Sequence, residues 1–326
     1  MSTLDDRELV DQVRAGGERL LVPETERGRE RRRIVALVTP FLLLAVVGAF
    51  VPLVYLVRMS LSESAAAIQG LQFESYRTLA LSVVAYLPVL GSGLSADPVY
   101  GEVIWNSLWF GAATTVVSVA VGVAIAHGLE NYDLPYEGLL VTLISFPISL
   151  PGIVVAFMIM VWFARTGVLT NLFATVAGVD PVALALTGQP PGTALAVAGL
   201  FLGYCYSMIP RATFLLRGSY AQVNTDAEEA ARALGATPWQ TFRYVTLPQI
   251  RPGVVGALIL SFRTALAIFG TVLVLKALSV VTFRFDQELA TGFNLPIASA
   301  LAVVFFAFTV LFTFAGLRYT SAEVAG

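Results

Sequence analysis

Across 326 residues the chain holds one cysteine, one histidine and one lysine. A lone cysteine, Cys205, excludes an intrachain disulfide and a cysteine-held metal cluster. Set within an apolar stretch, it reads as a small packing residue. A lone histidine, His127, excludes a histidine metal cluster, and at the inner end of a span it reads as a packing residue rather than the base of a serine–histidine relay. The lone lysine, Lys276, stands between Leu275 and Ala277. A phosphate-cradling P-loop needs Gly-Lys followed by Ser or Thr, so the chain is not expected to hydrolyse ATP, and no enzyme site is legible in it. Charge is also scarce: charged residues make up 13%, against about a quarter in a soluble domain.

What abounds is apolar residues, at 57%. Stretches of about 20 apolar residues suffice to cross a hydrocarbon core of about 30 Å. Six are read, at 34–57, 103–128, 138–163, 193–217, 253–275 and 296–318. The expected fold is an all-α polytopic membrane protein with six transmembrane helices, both termini cytoplasmic, and a cytoplasmic helix-turn-helix loop. The basic residues set the orientation. Eight lie in the N-terminal tail, five between 211 and 251, and one at Arg318, whereas Arg58, Arg77, Arg165, Lys276 and Arg284 fall on the other side. The richer side is the cytoplasmic one.

The resulting organisation is an Arg-rich cytoplasmic tail (1–33), a first transmembrane helix (34–57), an external segment (58–102), a five-helix core (103–318) that includes the cytoplasmic loop 218–252, and a short tail (319–326). The N-terminal tail is too polar and too long for an ordinary signal peptide. It is expected to hold its end inside and to touch anionic lipid, at about 1 kcal/mol per basic residue near the surface. Residues 79–96 are apolar but interrupted by Pro88, Gly91 and Gly93, and read as an external or re-entrant element. The third span carries Pro147 and Pro151. They read either as an ordinary kink or as a bend lining a pathway, since broken membrane helices tend to line cavities. Pro210, in the fourth span, invites the same two readings.

The loop between the fourth and fifth spans is the most informative segment. Thr225-Asp226-Ala227-Glu228 fits a capping box, and the acidic residues suit a first turn. Ala227, Ala230, Ala231 and Leu234 form a small apolar stripe at helical spacing. Gly235 suits a left-handed stop, Thr237-Pro238 can start a second short helix, and Leu247-Pro248 is expected to end it. The alanines leave a low surface that another protein's groove can approach closely. A rigid peg of this kind can transmit a partner's movement to the attached spans.

From Glu229 to Pro248 the chain reads EAARALGATPWQTFRYVTLP. This resembles the EAA loop of permease subunits of binding-protein-dependent ABC importers of the type I fold, departing only at Val245, where the pattern has isoleucine. The resemblance covers about residues 100–318. It implies that Glu229, Ala230, Ala231, Gly235, Leu247 and Pro248 couple the chain to an ATPase: Glu229 as polar anchor, the alanines as docking surface, Gly235 as the turn, and Leu247 and Pro248 as the return to the membrane. It implies two ATPase subunits that bind ATP and magnesium, a second permease subunit, identical or homologous, an extracytoplasmic solute-binding protein, a bilayer of a prokaryotic cytoplasmic membrane, and no nucleic acid. No cofactor or metal is expected in this chain. Sugar-transporting relatives usually have Asp before the motif glycine. Leu234 stands there instead, leaning the resemblance toward relatives that move oxyanions, iron(III), thiamine, polyamines or phosphonates. Many of these carry an acidic residue before a Phe-Gly in the fifth span; Ile268 precedes Phe269-Gly270, so no role for that carboxylate transfers.

One charge, Arg263, falls inside a span, at a cost of about 2.5–3.5 kcal/mol on insertion scales. No carboxylate in the six spans stands ready to pair with it. Either it donates to carbonyls freed at a helix break or packs at a subunit interface, or it lines a translocation path with Pro147 and Pro151 and favours an anionic solute. An ion-gradient-driven secondary transporter or channel is the alternative function. The lack of acidic residues in the spans argues against a carboxylate proton relay and leaves a carbonyl-based ion site open.

Overall fold

The computed structural model describes residues 26–62, 72–87 and 96–325. Among these, all regular structure is helical, and six helical stretches are long and apolar enough to cross a membrane. The chain divides into two compact units, Met1–Arg58 and Met59–Gly326. The first consists, in its described part, of residues 26–58 of the long helix α1 (Glu26–Ser60), with Pro40 and Pro52 inside it. The N-terminal tail to residue 25 lies outside the described residues.

The second unit is built around two long helices, α3 (Val99–Asn131) and α8 (Ala194–Tyr220), packed along each other. Small residues set their spacing: a Cβ on Gly122 would stand 2.9 Å from the Ala212 Cβ. Small residues let membrane helices approach closely where no hydrophobic effect drives them together. Above this contact Phe110 meets the Tyr204 ring edge-on at 5.0 Å between centroids, with Leu200, Met208 and Val272 in the same buried cluster. Nearer the loop, Val119, Ala126, Leu216 and Ile250 form a second cluster.

Two predicted spans are broken. In place of one helix over 138–163 the chain forms α4 (Glu137–Ser145), a 3-10 turn (Phe146–Ser149) and α5 (Gly152–Phe163). Pro147 lies in the 3-10 turn. Pro151 forces the residue before it out of helical geometry, and Leu150 is extended at ψ 128°. The stretch long enough to cross is instead Gly152–Ala177, α5 together with α6 (Val168–Ala177). A four-residue helix α7 (Pro181–Leu184) leads on to α8. The fifth span is also two pieces, α11 (Leu247–Ala267) and α12 (Gly270–Leu275), parted at an extended Ile268.

The two breaks meet. Gly152 and Gly270 touch so closely that a Cβ on Gly270 would stand 2.9 Å from the Ile153 nitrogen. Side chains donate to carbonyls at both breaks. Thr271 Oγ1 donates to the Gly152 carbonyl at 3.1 Å. The Tyr204 hydroxyl and Thr282 Oγ1 donate to the Ile268 carbonyl at 3.2 and 3.4 Å. Unpaired backbone groups are costly in an apolar medium, so such donors are needed where a membrane helix is interrupted.

At the opposite end from the loop, α13 (Val281–Ala290) lies against α14 (Leu295–Ala325) and the start of α3. Buried Glu288 accepts hydrogen bonds from the Tyr100 hydroxyl and the Arg284 guanidinium, both at 2.8 Å. Of the stretch 79–96, residues 79–86 belong to the short helix α2 (Glu74–Tyr86), which holds 13 residues and is too short to cross. Residues 88–95 lie outside the described residues.

Candidate functional site

The loop folds as a helix-turn-helix, with two changes from its sequence reading. Asn224, rather than Thr225, caps α9 (Thr225–Ala233); its side chain accepts from the Ala227 amide at 3.3 Å. Glu228 does not close a capping box. Its carboxylate turns inward and is buried, accepting from Asn131 Nδ2 at 2.8 Å and from Thr246 Oγ1, with Arg232 at 3.6 Å. The last residue of α3 and the far side of the loop thus offer it two donors, which outcompete the single amide of a helix start.

α9 ends in a Schellman turn. The Ala236 amide donates to the Ala231 carbonyl at 3.0 Å and the Gly235 amide to Arg232 at 2.9 Å, with Gly235 at φ +87°. That conformation favours glycine. Thr237 then caps α10 (Pro238–Thr241) in a full capping box with Gln240, Pro238 occupying the first turn. Leu247-Pro248 does not end this helix. α10 passes through a π-helical turn (Phe242–Thr246) straight into α11. Pro248 cannot donate into this continuous helix, and the wider π turn directly before it accommodates the change in register.

The predicted loop residues divide by exposure. Glu229 and Ala230 face outward, and the Glu229 carboxylate has no partner among the described residues. Ala231 is half-buried, as is Leu247; Pro248 is exposed. Three large apolar side chains escaped the sequence reading as surface features: Leu234 at 90% exposure, Trp239 at 65% and Tyr244 at 69%. Trp239 stacks on Phe242 at 5.7 Å, and Phe242 meets the His127 ring at 4.8 Å. His127 therefore packs from α3 against the loop and against Tyr220 of α8. Arg217, at the end of α8, bonds Glu130 and reaches Glu137 at 3.5 Å, tying α3 and α4 together beside it.

Arg263 lines a cavity of about 480 Å³ between α11, α13 and α14, with Phe269, Thr282, Phe285, Asp286 and Phe306 among its walls. Its side chain makes no hydrogen bond or ion pair among the described residues. The carbonyls at the helix breaks are held by Tyr204, Thr271 and Thr282, not by Arg263. Pro147 and Pro151 do not line this cavity. Pro147 is buried, and its neighbour Ile148 borders a second cavity of about 420 Å³ that contains Arg211 and Thr264. The sequence reading offered Arg263 no carboxylate. The fold brings Asp286 to its cavity from a helix outside the predicted spans.

A family model described as the binding-protein-dependent transport system inner membrane component matches residues 117–319. The sulfate transport system permease protein CysW of Synechococcus elongatus is 30% identical over 176 residues, 54% of this chain and 57% of that protein. The chain thus spans little more than half that relative's length. The spermidine/putrescine transport system permease protein PotB of Haemophilus influenzae is 24% identical over 209 residues, 64% of this chain and 70% of that protein. Among solved structures, one from a bacterial ABC transporter involved in the import of the acidic polysaccharide alginate superposes with a TM-score of 0.73, covering 90% of this chain and 96% of that one. At 15% identity this likeness concerns the fold alone.

Proposed function

We propose, from the premise that the chain belongs to the binding-protein-dependent transport system inner membrane component family, that it is the solute-conducting permease subunit of an ATP-driven importer. In this reading it works with a second permease subunit, identical or homologous, two ATPase subunits that bind ATP and magnesium, and an extracytoplasmic solute-binding protein. It sits in a prokaryotic cytoplasmic membrane. The solute is small and polar or anionic, of the oxyanion, phosphonate, iron(III), thiamine or polyamine class. The named relatives handle sulfate and spermidine or putrescine, which differ in the sign of their charge, so kinship supports the breadth of this class.

The observation that carries the reading is the exposed tip of the loop, made rigid from beneath by Glu228. The outward faces of Glu229, Ala230 and Leu234 form the peg for an ATPase groove, Gly235 fixes its turn, and Leu247 and Pro248 carry it into the membrane. Closure of the ATPase pair on ATP would swing this peg, and α11 would swing with it. Arg263 would stand in the path opened, with the helix breaks around Pro147 and Pro151 supplying the bend.

Co-purification with the candidate ATPase tests this. The wild-type chain retains the ATPase, and Gly235→Pro loses it while remaining folded in the membrane. If the wild type binds no ATPase under conditions where an established pair does, the reading fails, and ion-driven transport takes its place.

A further inference from the structure

In the second unit Arg263 and Asp286 are the two charged residues among those lining the cavity between α11, α13 and α14. Each lines the cavity of about 480 Å³, and neither side chain has a hydrogen bond or ion pair among the described residues. Several other charges in the unit are satisfied within the fold: Glu288 pairs with Arg284, Arg217 with Glu130 and Glu228 with Arg232, and Arg211 donates to the Ser207 carbonyl. Arg263 lies sixteen residues along α11 from Leu247, about 24 Å at 1.5 Å per residue, so it sits in the half of the membrane away from the loop. Asp286 comes from α13, at that same end. The same cavity is lined by phenyl rings, including Phe269, Phe285 and Phe306.

Opposite charges attract across a weakly polar cavity, and here Arg263 is exposed and Asp286 half-buried, so both remain accessible to a guest. A cavity that holds both without letting them meet is matched by a guest carrying both complementary charges. We propose that it binds a small organic zwitterion in transit. The guest's carboxylate, sulfonate or phosphonate lies on the Arg263 guanidinium, its ammonium group faces the Asp286 carboxylate, and its carbon skeleton lies against the phenyl rings. A bare inorganic oxyanion would face the like charge of Asp286 and lose its hydration to apolar walls. A polyamine would face Arg263. A neutral sugar would find too few polar side chains for its hydroxyls. This inference rests on the importer reading and narrows its solute.

The test uses the full chain in lipid nanodiscs, with thermal unfolding as readout. The probes are glycine, taurine and 2-aminoethylphosphonate as zwitterions of differing span, and sulfate, putrescine and trehalose as controls. At tenfold above its dissociation constant a bound zwitterion raises Tm by about 2–4 °C. Arg263→Gln and Asp286→Asn each abolish that rise, and the controls give none. A rise with sulfate that survives Asp286→Asn overturns the proposal in favour of a simple anion site. No rise with any zwitterion also overturns it, and cross-linking between subunits through Arg263→Cys would then identify the cavity as a covered interface. Retention of the ATPase by the same preparation leaves the importer reading standing in either case.

Discussion

Asn131 and Glu228, 97 residues apart in sequence, are joined by a 2.8 Å hydrogen bond from the Asn131 amide to the Glu228 carboxylate. The bond fastens the end of α3 to the first turn of α9. Thr246, at the start of the fifth span, holds the same carboxylate, so one buried side chain ties the loop to two membrane helices. Glu228→Ala leaves buried donors without an acceptor, and a buried unmet polar group costs about 1–3 kcal/mol. Thermal unfolding should show a lower Tm, together with weaker ATPase retention. Glu228→Gln, which keeps an acceptor, should fall between Ala and wild type.

Leu234 and Trp239 should behave in the opposite way. Both are largely exposed, so Leu234→Glu and Trp239→Ala should leave Tm within about 1 °C. If the loop tip enters an ATPase groove, each lowers ATPase affinity about tenfold, equivalent to 1.4 kcal/mol. Titration of ATPase onto nanodisc-embedded permease reads this directly. Unchanged affinity in both variants would place the docking surface elsewhere on the loop.

Gly235 is constrained by its backbone alone. It sits at φ +87°, and nothing lies within 4 Å of an added Cβ. Gly235→Ala should therefore cost about 1 kcal/mol from conformation only. Gly235→Asn, a residue that tolerates this region, should cost less. The comparison is made by unfolding in the same lipid.

Gly270 and Gly256 provide a matched pair of opposite kind. A Cβ on Gly270 would meet the Ile153 nitrogen at 2.9 Å, whereas one on Gly256 meets nothing within 4 Å. Gly270→Ala should destabilise by about 1–3 kcal/mol through overpacking at the crossing of the two broken helices. Gly256→Ala, inside α11, should be neutral or stabilising by up to about 1 kcal/mol. Parallel melts of the two variants decide whether the crossing is as tight as drawn.

The parts of the molecule legible in sequence are those fixed by near neighbours. Gly235 and the helix start at Thr237-Pro238 act over a few residues, and both form where the sequence places them. The apolar runs announced six crossings, and six suitable helical stretches are present. Proline announced a disturbance near 147–151, but not that the segment would part into separate helices. The break at Ile268 had no such marker: its carbonyl is held by Tyr204 and Thr282, on other helices. Glu228 was misread for the same reason, since a local capping rule could not weigh Asn131 and Thr246. Asp286 went unnoticed beside Arg263 because only the folded return of α13 brings it to that cavity.

The unbroken passage from Pro238 through the π turn to Ala267 has a mechanical consequence. Its 30 residues make a rod of about 45 Å at 1.5 Å per residue. A tilt of about 10° about its midpoint carries each end about 4 Å, comparable to the width of a small solute. A shove delivered at the water-facing tip would reach the neighbourhood of Arg263 along one continuous helix, whose bending points are the π turn and Pro252, and the first outright gap is at Ile268.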